Sequence, residues 1–534
     1  MGVYLNPGNY NYRRACNSQI YVDKTELITL TNNVIDTEQR FICISRPRRF
    51  GKSMAANMLT AYYGKNCDSS EIFEKYKIAE CESYRKNLNQ YNVIAVNVQN
   101  FLSVVNSVEE LISSVQSEIL IELKENYSDK ISEQDKILSM ALEKIFSKTE
   151  EGFVFIIDEW DCILREKKYT AEDHKKYLDF IRNLLKDKSF VSLAYMTGIL
   201  PIKKYGTHSA LNMFDEYSMT DPGDYAEYIG FTEKEVAELC EKYKVDFEKE
   251  KEWYDGYGFN NELHIYNPKS VVDSIRRKNF SSYWTQTETY EALKCYVKMN
   301  YDGLKDAIIQ MLAGENVKID YRTFQNDMTT FEGRDDVLTL LVHLGYLAYN
   351  NEKSEVFIPN AEVRAEFVRA IKGCNWSEVI TSIEKSEQLL HATWEMQETE
   401  VAKMIDEVHM QNTSILTYND ENSLSCVISL AYYYAINEYT KIRELPTGKG
   451  FADIVYIPRK HSDKPAMIVE LKYDKSAEGA IAQIKEKKYI ESLKEYQGNL
   501  LLVGISYEKN TKRHTCVIEK YVKEYGYSKG DIEK

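Results

Sequence analysis

Hydrophobic and polar residues in this chain are grouped by whole elements. Four short runs in the first two hundred residues are apolar almost throughout: Phe41-Ile-Cys-Ile44, Val93-Ile-Ala-Val96, Phe153-Val-Phe-Ile-Ile157 and Val191-Ser-Leu-Ala-Tyr-Met196. Runs of that length without a polar face suit strands buried on both sides, the pattern of a parallel sheet covered by helices. Residues 108–123 carry apolar positions at helical spacing. Past residue 230 the pattern changes. Thr232 followed three residues later by Glu235 predicts a capped helix start. Residues 337–347 predict a nearly all-apolar helix. A strand at 348–349, a polar turn at 350–354 and a strand at 356–358 follow it, the order of a winged helix. Residues 380–411 predict one long amphipathic linker helix. Strands are expected at 450–457, 466–473 and 500–505. One helix is expected through Glu421, Leu424, Ile428, Tyr432 and Ile436, and another over 480–489.

The first apolar run leads directly into Ser45-Arg-Pro-Arg-Arg-Phe-Gly-Lys-Ser53, and a helical pattern starts at Met54. Strand, basic turn and helix in that order form a phosphate-binding loop. Main-chain N–H groups and a helix N-terminus cradle phosphate, Lys52 reaches the outer phosphates, and the Ser53 hydroxyl ligates Mg²⁺. The nucleotide-contacting candidates are therefore Arg46, Pro47, Arg48, Arg49, Phe50, Gly51, Lys52, Ser53 and Met54. Arg46 stands where the usual pattern has glycine, and a basic surface turn is the alternative.

The third run ends in Asp158-Glu159-Trp160-Asp161. Ligands of open α/β sheets sit at the carboxyl ends of strands. Asp158 is thus a candidate Mg²⁺ holder, and Glu159 a candidate to orient or deprotonate a water. Thr197, ending the fourth run, is placed to sense the terminal phosphate or that water. Arg48, Arg49, Arg165 and Arg182 are candidates for stabilising transferred charge, and the sequence does not choose among them. Tyr21-Val-Asp-Lys-Thr25 predicts an amphipathic helix entry, with Asp23 and Lys24 either at the nucleotide edge or capping the helix. His343, on the apolar helix, is expected to pack as a core histidine.

The last 120 or so residues carry a different constellation. Glu470 and Lys472 are two apart on one strand and share a face, and Asp453 on the preceding strand can meet them. Two hard carboxylates bind Mg²⁺ through oxygen, and a lysine beside them can orient or help deprotonate a water attacking a phosphodiester. Asp453 and Glu470 are the candidate metal ligands. Glu421 can add a carboxylate from a helix start, Gln483 and Tyr489 can back the site, and Lys485, Lys487 and Lys488 add positive charge for a phosphate backbone. A salt-bridged hairpin is the alternative.

The run Tyr21-Val-Asp-Lys-Thr25, then Arg46-Pro-Arg-Arg-Phe-Gly-Lys-Ser53, then Ile157-Asp-Glu-Trp-Asp161, resembles the prokaryotic AAA-ATPase-like family. Thr197-Gly-Ile-Leu-Pro-Ile-Lys-Lys204, Trp253-Tyr-Asp-Gly-Tyr-Gly-Phe259 and Ile265-Tyr-Asn-Pro268 look like further segments of it. In that family arginine replaces the first loop glycine. Tyrosine usually stands where this chain has Trp160. Glu421, Asp453 and Glu470-Leu-Lys472 resemble the PD-(D/E)xK nuclease superfamily, with Ala452-Asp453 in place of Pro-Asp. The resemblance implies a multidomain α/β chain. Residues 1–220 would be an AAA/ASCE-like P-loop ATPase and 221–310 a helical lid. Residues 311–395 would be a winged-helix-like and linker region, and 396–534 a PD-(D/E)xK nuclease-like domain. It further implies ATP and Mg²⁺ as cofactors, a nucleic acid (DNA foremost) as partner, a homo-oligomer, and a role in defence against phage or mobile DNA. The rival expectation is a nucleotide-switched interaction protein whose nuclease-like domain does not cleave.

Composition narrows this. At roughly 100–200 residues per domain, 534 residues suggest three or four domains. A net charge of −15 argues against a constitutive, nonspecific nucleic-acid binder and suits a nuclease held off until triggered. Ten scattered cysteines, without a C-x-x-C pair, point away from zinc or a disulfide framework and towards a reducing cytoplasm. No signal-peptide pattern opens the chain and no run is long enough to span a membrane.

Overall fold

Each apolar run of the first two hundred residues becomes a strand, because a fully apolar segment needs cover on both faces. In the computed structural model these are β1 (Phe41–Ser45), β2 (Asn92–Asn97), β3 (Phe153–Asp158) and β4 (Val191–Gly198). A fifth strand, β5 (Asp215–Tyr217), completes a wholly parallel sheet of order β2-β3-β4-β1-β5. β1, β3 and β4 are buried along their whole length. The strand carrying Asp158 is not next to the strand that feeds the basic loop; β4 lies between them. The structure describes residues 2–205, 208–259, 263–284, 289–299, 301–328, 330–374, 376–412, 421–447, 450–459, 462–487, 489, 496 and 498–521.

The helices meet the sequence expectation in most places. Helix α1 (Lys52–Tyr63) follows the loop, and α2 (Val108–Asn126) covers the expected periodic stretch. The segment from Tyr21 differs: it stays extended, and its helix begins only at Leu27. Asp23 accepts from the Thr25 N–H and hydroxyl and from the Lys77 N–H, which fixes a turn. The capping box forms at the start of Glu233–Tyr243, and Glu235 there also takes the Lys24 ammonium at 2.6 Å. His343 is buried, stacks on Phe324 at 6.0 Å and has its pKa lowered to about 3 by burial, so it is a neutral core residue. It lies on the helix Arg334–Leu344, which Gly345 ends and the hairpin Ala348–Asn350/Glu355–Phe357 follows.

The chain divides into two compact units, 1–296 with 318–366, and 297–317 with 367–534. The second unit is built on a mixed five-stranded sheet. Its strands are β6 (Tyr439–Thr447), β7 (Gly450–Pro458), β8 (Ala466–Tyr473), β9 (Leu500–Glu508) and β10 (Arg513–Tyr521), in that order, with only β8 and β9 parallel. The helix Ala477–Glu486 makes the crossover that a parallel pair requires. The single linker helix expected over 380–411 is instead two helices, Ser377–Trp394 and Glu398–Asn412, broken at Met396 with φ +57°. The second of these is tied to β10: Glu398 accepts from the Ile518 N–H at 2.7 Å, and Asp406 takes the His514 ring at 2.8 Å. A straight helix would lose those contacts. Among the described residues no helix is long and apolar enough to cross a membrane.

Candidate functional sites

Sheet register assembles the first site. Asn97 lies opposite Asp158, Asp158 opposite Thr197, and Thr197 opposite Ile44, two residues before the loop. Three strands thus deliver their polar ends in one row. The Thr197 hydroxyl donates to one oxygen of Asp158, and Asn97 Nδ2 donates to the other at 3.0 Å. Asp158 is buried with both oxygens held in place. Asn97 was not picked out from the sequence. Its signal was available, because it ends an apolar strand just as Asp158 and Thr197 do.

Beside this row Lys52 donates to the carbonyls of Arg46 and Pro47, each at 2.9 Å. Burial lowers its pKa, while Glu159 and then Asp158 act to hold it up. Arg49 (φ +72°) and Gly51 (φ +98°) both turn left-handed, the kind of backbone from which anion-binding nests are built. Arg48, Arg49, Phe50, Gly51, Lys52, Ser53, Met54 and Glu159 line a cavity of about 1420 Å³. Arg46, Pro47, Asp158 and Thr197 are not part of that wall. The Arg46 side chain corrects the expectation that it meets phosphate. It is fully buried, donates to the Ser45 carbonyl at 3.0 Å and the Tyr217 carbonyl at 3.3 Å, and lies over the Phe259 ring. It braces the loop from behind, and only its main chain faces Lys52.

Later segments close over the loop. Trp284 Nε1 donates to the Arg48 carbonyl at 3.2 Å. A Cβ on Gly345 (φ +86°) would come within 2.8 Å of Pro47, so glycine permits the contact. Lys269, Asp273 and Arg276, on the helix Pro268–Arg277, add charge to the far wall of the cavity. Nothing local in the sequence marks them. Arg182 is elsewhere, paired with Asp179 and donating to the Ala210 carbonyl. Arg165 and Glu159 form an ion pair at the cavity wall. A separate cluster, Glu233, Asp255 and His264, is already matched internally: Lys251 lies 2.7 Å from Glu233, and the His264 ring 2.9 Å from Asp255.

The second site sits on β7 and β8 of the other unit. Asp453 Oδ2 accepts from the Leu471 N–H at 2.7 Å, which brings it beside Glu470. Lys472 Nζ donates to Glu470 Oε1 at 2.8 Å, and Gln483 Nε2 donates to the same oxygen and to the Tyr489 hydroxyl at 3.2 Å. The other Glu470 oxygen is buried and has no hydrogen-bond partner among the described residues. Burial, and then the charge of Asp453, raise the Glu470 pKa to about 7. A hard cation shared by these carboxylates would relieve both, so the donor set fits Mg²⁺. Glu421 opens the helix Glu421–Ala431, and its side chain lies outside the described residues, as does Lys488. Lys485 is engaged by Glu519 rather than free for phosphate, whereas Lys487 acts electrostatically on Glu470.

Residues 9–207 match the AAA-ATPase-like family, described as a predicted AAA-ATPase. Residues 420–516 match the PD-(D/E)XK nuclease superfamily. The chain therefore joins an AAA-ATPase-like domain to a domain of the PD-(D/E)XK nuclease superfamily in one multidomain α/β protein. Among curated proteins it is similar to an uncharacterized protein from the vnfD 5' region of Azotobacter chroococcum mcd 1. The two are 23% identical over 277 residues, which is 50% of this chain and 51% of the relative. The similarity thus spans about half of that relative's length. Among solved structures it is similar to the ORC2 protein of Aeropyrum pernix, with 11% identity over 67% of this chain and 98% of that one. The TM-score of 0.30 is too low to equate the two folds.

Proposed function

We propose that this protein is an ATPase whose nucleotide state controls a Mg²⁺-dependent nuclease acting on DNA. The observation that carries the nuclease half is the buried Glu470 oxygen, without a partner among the described residues, set beside Asp453 and the Lys472 ammonium. A salt-bridged hairpin would have no reason to keep that oxygen bare, because a buried carboxylate oxygen without a partner is costly. Bound Mg²⁺ supplies Lewis-acid polarisation of the scissile phosphate. Asp453 and Glu470 hold it, Gln483 keeps Glu470 oriented, and Lys472 positions the attacking water and takes up or relays its proton.

In the ATPase half Lys52 leaves the Arg46 and Pro47 carbonyls for the outer phosphates. Ser53 and Asp158 hold Mg²⁺, Thr197 fixes Asp158, and Glu159 accepts the proton of the attacking water. The acidic chain and the pairing of an ATPase with a nuclease on one polypeptide support control of one by the other, in a cytoplasmic oligomer that guards against foreign DNA. The test is cleavage of a DNA and RNA panel with Mg²⁺, with and without ATP, by the wild type, Lys52→Ala and Lys472→Ala. Cutting that disappears in Lys472→Ala and changes with ATP or with Lys52→Ala supports the proposal. ATP turnover without cutting of any substrate overturns its nuclease half.

A further inference from the structure

Arg165 ends the short helix Cys162–Arg165 and carries two carboxylates. Its Nε lies 3.2 Å from Asp161 Oδ2, while a terminal nitrogen pairs with Glu159. The two partners are held very differently. Asp161 is fully buried and anchored by the amides of Ile199 (3.0 Å) and Leu200 (2.8 Å). Its pocket is tight enough that a Cβ on Gly198 would come within 2.7 Å of Asp161 Oδ1. Glu159 is at the strand end, in a left-handed conformation (φ +56°), with its side chain 22% exposed to the cavity. Burial alone would lower the Arg165 pKa; Asp161 and then Glu159 outweigh it, so the guanidinium stays charged. The guanidinium thus pairs with one fixed, buried carboxylate and with one that faces the cavity.

We propose that Arg165 is a phosphate-contacting residue supplied by the same chain, and that without nucleotide it locks Glu159. This rests on the ATP-site reading above. The terminal phosphate of ATP carries more negative charge than Glu159 and offers the same planar fork its own oxygens. On binding, Arg165 keeps its ion pair with Asp161 and moves the terminal nitrogen it holds on Glu159 to that phosphate. Glu159 is then free to take the proton of the attacking water. The water oxygen bonds to the γ-phosphorus as the bond from that phosphorus to the β–γ bridging oxygen breaks. The electron pair of that bond leaves with ADP, and the proton goes to Glu159. ADP lacks the phosphate that draws Arg165 away, so the lock stays closed with ADP bound.

The test measures binding of ADP and of a non-hydrolysable ATP analogue to the full-length protein with Mg²⁺, so that turnover does not enter. Glu159→Gln opens the lock and tightens the analogue about three- to tenfold without moving ADP. Arg165→Gln weakens the analogue about ten- to hundredfold, leaves ADP unchanged and lowers kcat by about a thousandfold. In the Arg165→Gln background, Glu159→Gln no longer tightens the analogue. If Arg165→Gln fails to fold by its melting curve, Arg165→Lys keeps the charge without the fork and gives an intermediate loss. Equal effects of Arg165→Gln on ADP and analogue, or no tightening by Glu159→Gln, overturn the proposal. Unchanged binding of both nucleotides by Lys52→Ala would instead overturn the ATP-site reading beneath it.

Discussion

The two candidate sites handle charge in opposite ways. Around the basic loop Lys52 rests on two carbonyls, Asp158 between Thr197 and Asn97, and Glu159 on Arg165. On β7 and β8 the acids crowd one another, with the Glu470 pKa raised to about 7 and one of its oxygens unpartnered among the described residues. The first site can rest without its ligand and must exchange partners when the ligand arrives. The second keeps two crowded carboxylates, which a bound cation would relieve. The contrast suits a switch on one unit and a metal-dependent cutter on the other.

The largest effect should break the second site. Lys472→Ala or Asp453→Ala should lower cleavage by about 10²–10⁴-fold while ATP turnover stays near wild type, read by gel cleavage beside phosphate release. Lys52→Ala should do the converse to turnover. The next effect sharpens the contrast in stability. The folded Glu470 pKa lies above its ordinary 4.5, so its contribution is full below about 4.5 and is lost as pH rises through about 7. At pH 8 in chelator, Glu470→Gln should therefore stabilise the second unit, by on the order of 3 kcal/mol at most. Saturating Mg²⁺ should shrink or reverse the gain in a melting experiment.

A separate pH effect belongs to the first unit. Burial raises the pKa of Glu216 to about 7, of Glu362 to about 7 and of Glu250 to about 8. By the same sign, their stability is present near pH 4.5 and falls as pH rises through 7 to 8. Glu250→Gln should flatten that fall in a melting series against pH. The smallest effect is local. Thr232→Ala removes the cap of Glu233–Tyr243 and should cost about 1 kcal/mol, with ADP affinity unchanged.

What the sequence determined by itself was contiguous chemistry. Strand, loop and helix around Lys52, the acids ending β3, the Thr232–Glu235 cap and the Glu470–Lys472 pair all lie within a few residues of each other. Backbone geometry then dictates which side chains meet. The helix break at Met396 was hidden because apolar spacing continues across it, and contacts with β10 some 120 residues away decide it. Only the tertiary structure placed Asn97 against Asp158, turned Arg46 inward under the loop and drew Arg165 onto Glu159 and Asp161. Strand register brings Asn97 and Asp158 together from 61 residues apart, and no pattern along the chain encodes a register. A charged side chain near a phosphate loop can face the ligand or brace the backbone. Burial against Tyr217 and Phe259 decides which for Arg46, and those residues are neighbours only once the chain has folded.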